Sequence, residues 1–485
     1  MAKNSIKTNF SLYLVNTIAG LLYPIVTFPY ISRILQPEGV GLIQFLQSVI
    51  NYFAMFAALG IPLYAVKEIA RVRDDIKLRD KITTEIFFLH FLLTCSMYLV
   101  LLFVGFLISQ IYDNLIIYLI LSLHLLLVVL GCDWFYQGVE DFKYITIRSL
   151  VVRLFSLIAL FVFVKSRSDI YIYAGLLVFA EAGNSLINFF HLRKYMNIFS
   201  QRFKELNLRR HVKPALEIFF LNIIVSIYVN LDSVMLGFIR DNESVGYYAA
   251  ATRITRALCG FTTALGAVVF PRLTNYYSNH QMDKFRKLTI VSLDFSMLTL
   301  IPISGITILS APLLIPLFCG NAYQPSIATL QILSPIMIFL GISGVMGTKV
   351  LYAMNYQRII IICTGIGALT NFLLNLFLIP LYSHVGAAVS SVLAEFMVSA
   401  SMLYYSKKFI GISIFNKNIL QVLIAAIIMF LIASLYFNLS SSFSLITLIV
   451  GSIMALSLYT LLLFILKNRY VLNVYTSLLK KIQKK

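Results

Sequence analysis

Residues 419–437 read ILQVLIAAIIMFLIASLYF and contain no charged side chain. A helix needs about 20 apolar residues to cross the hydrocarbon core of a membrane, so this stretch predicts a spanning helix. Runs of similar length recur outward from it along the chain. They predict an all-α polytopic membrane protein of about 14 transmembrane helices. The predicted spans are approximately 10–35, 41–66, 82–108, 115–138, 144–165, 169–192, 214–239, 246–271, 288–312, 326–351, 358–380, 384–406, 419–437 and 443–466.

The composition agrees with a membrane protein. The chain of 485 residues is 60% hydrophobic and 12% charged, whereas soluble domains carry about 25% charged residues. Its net charge of +19 lies mostly in short loops between the apolar runs. The anionic membrane surface explains that charge better than a nucleic acid does, so we expect membrane lipid and no nucleic acid among the partners.

The sequence gives no sign of an enzyme, a cofactor or a metal site. The five cysteines are scattered singly, and His90 and His124 have no partner at metal-ligand spacing. The phosphate-loop pattern G-x-x-x-x-G-K-[S/T] does not occur. The longest connector, 193–213, is too short to fold as a soluble catalytic domain. We therefore predict no enzymatic activity, no cofactor and no metal ion.

The distribution of lysine and arginine predicts the orientation. If the N-terminus is cytoplasmic, inward segments hold 30 of the 39 basic residues, and outward loops hold only Lys165, Arg167 and Arg240. Because cytoplasmic loops of membrane proteins are enriched in these residues, both termini are predicted to be cytoplasmic. The segment 470–485 is either an amphipathic helix on the inner leaflet or a solvated basic tail.

Two parts of the chain resemble each other. QPEGVG at 36–41 and DNESVG at 241–246 share three residues at an offset of 205, and Ala180-Glu181 corresponds to Ala394-Glu395 at 214. These matches predict two parallel six-helix lobes, as in many transporters. The predicted organisation is a lobe at 1–192, a basic cytoplasmic connector at 193–213, a lobe at 214–410, and two additional spans with a basic tail at 411–485.

Basic side chains occur where lipid would disfavour them. A charge at the centre of a membrane helix costs roughly 2.5–3.5 kcal/mol, so such residues face protein or water. Arginine suits phosphate oxygens because its planar fork binds them in pairs and keeps its charge. The sequence therefore predicts an anion-binding interior, and the alternative role is a structural ion pair. The candidate substrate-binding residues are Arg33, Arg148, Arg153, Arg253, Arg256 and Lys349.

Arg148 and Arg153 are five residues apart, about 140° around one helix, so we expect at least one of them to pair with an acid. Acidic side chains also lie in the predicted spans. Such an acid either couples transport to a proton or sodium ion or serves as a counter-ion for the arginines. The candidates for these two roles are Asp133, Asp232, Glu217 and Asp294. Glu181 and Glu395, being related by the repeat, are expected to be architectural.

Three stretches carry a resemblance to a known family: RILQPEGVG at 33–41, DWFYQGVEDFKYITIRSL at 133–150 and YVNLDSVMLGFIRDNESVGYYAAATRITRALCGFTTALGAVVFPR at 228–272. They resemble the Wzx-type flippases of O-antigen and capsular polysaccharide repeat units, in the multidrug/oligosaccharidyl-lipid/polysaccharide exporter superfamily. The similarity runs from residue 10 to about residue 410.

The resemblance implies two lobes around a central cavity in the bacterial cytoplasmic (inner) membrane. It also implies transport of an undecaprenyl-diphosphate-linked oligosaccharide from the inner to the outer leaflet, for O-antigen, capsule or exopolysaccharide assembly. The polysaccharide polymerase machinery would then be a possible partner.

Two other functions remain open from the sequence. A cation-coupled multidrug exporter of the same superfamily would need an acidic or neutral cavity, which six interior cations disfavour. A membrane polysaccharide polymerase or ligase would need a sizeable outward loop, and every predicted outward loop is short. The sign of the charge in the cavity separates the first of these from the flippase.

Overall fold

The computed structural model describes residues 6–196, 205–411, 416–439 and 444–473, which are helical apart from turns and contain no β-strand. Ten of its helices are long and apolar enough to cross a membrane, and a bent pair, Arg209–Phe220 with Ile223–Ile239, makes eleven. The predicted all-α polytopic membrane fold is confirmed. The predicted C-terminal helix or tail lies mostly outside the described residues.

Two of these apolar segments are long enough for two crossings each. Leu14–Val72 has 59 residues and Gln357–Ile410 has 54, whereas about 20 suffice for one crossing. The first breaks at Gln36 (φ 60°), directly before Pro37, and the second at Ser383 (φ 52°), close to Pro380. Proline disrupts a helix because it lacks an amide hydrogen and clashes with the preceding turn. The count of fourteen spans stays a prediction.

The first of two compact units comprises Met1–Gly246. Its helices are α1 (Ile6–Ala58), α2 (Ile61–Val72), α3 (Ile76–Leu107), α4 (Ser109–Tyr112), α5 (Leu115–Gly131), α6 (Asp133–Gly138), α7 (Phe142–Phe163), α8 (Ile170–Leu192) and α9 (Arg209–Ile239). Helix α1 packs against α3, α5, α7 and α9, and α5 pairs closely with α8.

Two predicted spans of this unit contain a turn, although the apolar segments Leu14–Val72 and Leu115–Gly138 continue across it. The helix expected at 41–66 ends at Ala58, because Leu59 and Gly60 both have positive φ, and α2 begins as a separate helix. The helix expected at 115–138 stops at Gly131, because Cys132 (φ 42°) separates α5 from α6. Hydropathy could not show these ends because apolar residues continue across both turns.

The second unit comprises Tyr247–Lys485. Its helices are α10 (Asn242–Ser278, which begins in the first unit), α11 (Met282–Cys319), α12 (Ser326–Leu333), α13 (Ile336–Val345), α14 (Gln357–Ile410), α15 (Lys417–Leu439) and α16 (Leu445–Ile465). Helix α11 packs against α13 and α15, and α15 pairs with α16 over a core that includes Met429, Ala433 and Tyr459. A π-helix, Met346–Leu351, extends α13.

The two compact units divide the chain at a different place from the predicted lobes. Helix α9, predicted to open the second lobe, packs against α1 and belongs to the first unit. Compactness rather than internal repetition defines these units, so the lobe boundaries at 192 and 214 stay predictions. Residues 197–204 of the predicted connector lie outside the described residues.

Candidate functional site

Arg148 is held inside the first unit by polar partners and one aromatic ring. Its Nη2 donates to Asp133 Oδ1 at 3.0 Å, its Nε donates to Asn184 Oδ1 at 3.1 Å, and its Nη1 donates to Asn188 Oδ1. The guanidinium carbon lies 5.5 Å from the centre of the Tyr144 ring. Only 7% of Arg148 is exposed, so its charge is balanced internally by Asp133.

Asp133 begins the short helix α6, and its side chain is half exposed. Asn188 donates from Nδ2 to Asp133 Oδ1 at 2.6 Å and to the carbonyl oxygen of Gly131 at 2.7 Å. The amide of Asn188 thereby connects α8 with the end of α5 and the start of α6. Asp133 stands as the counter-ion of Arg148, which is one of the two roles left open by the sequence.

Arg153, on the same helix as Arg148, has no acidic partner in the described part of the chain. Its Nη1 donates to the carbonyl oxygen and to Oδ1 of Asn16, both at 3.0 Å. A Cβ built on Gly20 would lie 3.4 Å from Nη2, so the missing side chain there leaves room for the guanidinium. Arg153 is therefore a half-buried cation whose hydrogen bonds go to neutral groups, and its substrate role stays a prediction.

A cavity of about 450 Å³ lies beside the Arg148 cluster. Its exposed walls are mainly apolar, and it is lined by Asp141, Lys143, Tyr144, Ile147, Arg148, Val151 and Ile187. Asp141, the acid in this lining, already accepts a hydrogen bond at Oδ2 from the Tyr195 hydroxyl at 2.8 Å. Burial and this hydrogen bond raise the pKa of Tyr195, which therefore stays protonated.

A second polar cluster joins α1, α5 and α8. His124 Nε2 lies 3.4 Å from Glu181 Oε2, and Gln47 donates from Nε2 to Glu181 Oε1 at 3.3 Å. These three side chains and Asn51 line a cavity of about 10 Å³, which otherwise has apolar walls. A cavity needs at least about 10–15 Å³ to hold one water molecule, so this one is close to water-sized.

The same part of α1 is attached to α9. Asn51 donates from Nδ2 to Asn230 Oδ1 at 3.4 Å, and the Tyr52 hydroxyl donates to the carbonyl oxygen of Ile227 at 3.1 Å. Asp232, two residues beyond Asn230 on α9, is 9% exposed and lies within electrostatic range of Tyr52. The predicted acid Asp232 therefore belongs to the seam between α1 and α9.

Lys349 is the most deeply buried basic candidate of the second unit. It lies in the π-helix Met346–Leu351 and is 9% exposed. Among the described residues it has no hydrogen-bond acceptor and no acid within ion-pair distance. π-Helices are rare and often occur at functional sites. The structure thus gives Lys349 the burial expected of a functional intramembrane cation, and its substrate role stays a prediction.

The remaining predicted cations are less buried. Arg256 and Arg33 are exposed, whereas Arg253 is half-buried. Arg253 and Arg256 lie three residues apart on α10, so they are neighbours on one face of that helix. Arg33 lies one turn before the break at Gln36. Their substrate-binding roles stay predictions.

Asp294 is a buried carboxylate held by neutral donors. It accepts hydrogen bonds from Asn416 Nδ2 at 2.8 Å, Asn418 Nδ2 at 3.1 Å and the Tyr470 hydroxyl at 2.8 Å. Burial and the hydrogen bond to Asp294 raise the pKa of Tyr470. These contacts attach the segments that flank α15 and α16 to α11. Glu217, by contrast, is exposed on α9.

The sequence did not indicate the partners of two buried or half-buried groups of ionisable residues. One is the His124–Glu181 pair. The other is Glu85, which accepts hydrogen bonds from the amide of Asn207 at 3.0 Å, from His211 at 2.9 Å and from Arg210. Their members lie on different helices, so sequence spacing gave no signal. No group of three or more potential metal ligands occurs in the ranges that the structure describes.

The fold is similar to those of solved membrane transporters. The lipid II flippase MurJ in an inward closed conformation matches with a TM-score of 0.73 at 14% identity, covering 93% of this chain and 98% of that chain. An inward-facing multidrug resistance MATE family transporter matches with a TM-score of 0.64 at 13% identity, covering 80% and 94%. At these identities the likeness shows the fold alone.

Sequence comparison identifies the family. A protein of Escherichia coli (strain K12) that carries the name O-antigen transporter is 27% identical over 414 residues, which is 83% of this chain and 97% of the relative. Residues 6–277, more than half of the chain, match the family described as polysaccharide biosynthesis protein. The chain therefore belongs to the polysaccharide biosynthesis protein family.

Proposed function

We propose that the protein is a flippase that moves an undecaprenyl-diphosphate-linked oligosaccharide from the inner to the outer leaflet of the bacterial cytoplasmic membrane. The observation that carries the proposal is a set of cations within apolar helices whose charge is not balanced by an acid. In the described ranges Arg153 donates hydrogen bonds to Asn16 alone, and Lys349 has no polar partner. Such side chains mark substrate pathways in membrane proteins, and cations favour an anionic substrate such as a diphosphate.

The names of similar proteins support this choice of substrate. The Escherichia coli relative is named for O-antigen transport, and the MurJ structure is that of a lipid II flippase. In the proposed role the protein acts as a transporter rather than an enzyme, with both termini cytoplasmic. A polysaccharide polymerase would receive the transported repeat unit. A proton or sodium gradient would supply the energy.

A multidrug exporter is the second candidate because the fold also resembles a multidrug resistance transporter. Cationic drugs would be repelled by Arg153 and Lys349, which favours the lipid-linked anion.

Two measurements test the flippase proposal. Deletion of the gene should cause a lipid-linked oligosaccharide to accumulate on the inner leaflet. The purified protein in liposomes should move that lipid between leaflets. Normal surface glycan in the deletion strain, together with export of cationic dyes by the liposomes, would favour the multidrug exporter.

A further inference from the structure

We propose that His124 and Glu181 form a proton-binding site in the first unit and that its occupancy couples a proton gradient to transport. The inference rests on the proposed function, because it concerns how the same protein is driven. The sequence reading assigned possible ion coupling to other acids and treated Glu181 as architectural.

The first argument is the placement of the pair. Both residues lie in helices apolar enough to span the membrane, His124 in α5 and Glu181 in α8, and the two helices pack closely. The imidazole Nε2 lies 3.4 Å from the carboxylate Oε2. Ionisable residues within membrane helices are rare and often form proton relays. An imidazole is suited to that role because it ordinarily titrates near physiological pH.

The second argument is the capacity for a proton. The Nδ1 atom of His124 has no hydrogen-bond partner among the described residues, whereas Nε2 faces the carboxylate. A proton added to the neutral ring produces an imidazolium next to a carboxylate, and no bond breaks. The water-sized cavity bounded by Gln47, Asn51, His124 and Glu181 has room for about one water molecule, which can exchange a proton with the pair.

In the described ranges, no charged group other than its partner lies within ion-pair distance of His124 or Glu181. From α1, Tyr23 lies within electrostatic range of both Glu181 and Arg153, and Arg153 is the charged group contributed by α7. The other arginine of α7, Arg148, is already paired with Asp133. From α5, only His124 lies within ion-pair distance of Glu181 in the described ranges. The added proton therefore changes the local charge.

The ligand chemistry favours a proton over sodium. Sodium requires several oxygen ligands, as do other hard cations, but an imidazole nitrogen occupies one side of this cavity. Gln47 also directs its amide donor toward the carboxylate. An amide donor and an imidazole nitrogen beside the carboxylate suit a proton better than a metal cation.

The pair is connected to a helix seam that protonation can bias. Gln47 bonds to Glu181, and one turn later on α1 Asn51 and Tyr52 bond to α9. An imidazolium draws the Glu181 carboxylate toward α5 and away from Gln47. Proton occupancy thereby favours one position of α1 against α9 over another, which is the requirement for coupling.

The first experiment observes the site directly. The full-length protein, labelled with ¹⁵N-histidine and placed in lipid nanodiscs, is titrated between about pH 8 and about pH 5, which brackets the ordinary imidazole range. The signal removed by His124→Gln should change from the neutral to the imidazolium form, and Glu181→Gln should move or abolish that change. A His124 ring that keeps one protonation state throughout overturns the proposal. This readout does not require transport.

The second experiment measures coupling. Lipid-linked oligosaccharide transfer in liposomes should accelerate under a pH gradient, and His124→Gln and Glu181→Gln should lose the acceleration while slow gradient-independent transfer persists. The control is His280→Asn, which removes an exposed histidine at positive φ, a conformation that asparagine tolerates. Acceleration retained in both variants, or driven by sodium alone, overturns the proton site and leaves the flippase proposal intact. If no transfer occurs, the flippase proposal fails, and the proposed coupling fails with it.

Discussion

Gly41 of α1 and Gly246 of α10, the glycines that end the two related segments, each lie against the backbone of the other segment. An ideal Cβ on Gly41 would overlap the carbonyl oxygen of Asn242 and lie 2.6 Å from the amide nitrogen of Gly246. A Cβ on Gly246 would overlap the backbone of Pro37. The glycine shared by QPEGVG and DNESVG therefore has a packing reason, because each segment needs a residue without a side chain where the other approaches.

We predict that Gly41→Ala lowers the thermal unfolding midpoint of the purified protein. The added methyl group meets backbone rather than a flexible side chain, and overpacking typically costs about 1–3 kcal/mol. Gly175→Ala is the matched control, since a Cβ there meets nothing within 4 Å and alanine favours a helix. Equal midpoints for Gly41→Ala and the original protein would contradict the close packing of Gly41 against the segment 242–246.

The contribution of the sequence differs between the helices and the site. Uncharged runs such as 419–437 predict helices because lipid requires internal backbone hydrogen bonds. The break at Gln36 can be inferred from Pro37. The left-handed backbone at Cys132 ends α5 within an apolar run, where no residue type indicates a helix end. Helices reveal their existence through local composition, but their ends depend on tertiary packing.

The sequence predicted which residue types the candidate site contains, but it did not predict which residues contact one another there. Arginines in apolar runs indicated an interior charge, and the 140° between Arg148 and Arg153 indicated that at least one of them would pair with an acid. The asparagine that orients Arg148 is 40 residues away on α8. The partner of Glu181, His124, is likewise on another helix. Helix association in lipid depends on close packing and single polar contacts, which no local pattern reveals.

We predict opposite phenotypes for the two arginines of α7. Arg148→Ala removes the ion pair with Asp133 and leaves the buried amide oxygen of Asn188 without its donor, and an unsatisfied buried polar group typically costs about 1–3 kcal/mol. The protein should therefore lose thermal stability and accumulate poorly. Arg153→Ala removes a cation with neutral partners, so folding should persist while transport falls. Fluorescence-detected chromatography and transfer in liposomes distinguish the two outcomes, and a well-folded, inactive Arg148→Ala would contradict the structural role.

We predict that Arg253→Ala and Arg256→Ala each lower transport without preventing membrane insertion. The two side chains share one face of α10, where they can bind phosphate oxygens. Replacement by lysine should restore only part of the rate, because an ammonium keeps the charge but lacks the planar fork. Surface glycan at the original level in both alanine variants would exclude an anion-binding role for α10.

We predict that Tyr470→Phe loosens the attachment of α15 and α16, because it removes one of three donors to the buried Asp294 carboxylate. The pKa of Tyr470 is raised in the folded protein, so the hydroxyl's contribution is present below pH 10.0, the ordinary tyrosine value, and is lost as pH rises through the folded value. Alkaline pH should therefore lower the unfolding midpoint more for the original protein than for Tyr470→Phe. Identical pH profiles for the two proteins would show that the Tyr470 hydroxyl does not contribute to this attachment.

Lys349 provides the sharpest separation of stability from function. A buried ammonium without an acid or acceptor among the described residues destabilises its surroundings, because burial removes its hydration and no partner replaces it. Lys349→Met keeps the length of the side chain and fills the same space without the charge. We therefore predict that this variant unfolds at a higher temperature than the original protein and transports more slowly, which is the trade-off expected where function maintains an unfavourable group.

Lys349→Arg should retain more transport and gain no stability. Lys77→Met removes an exposed lysine and should change neither property appreciably. If Lys349→Met loses both stability and transport, the ammonium serves the fold, and its assignment to substrate binding is wrong.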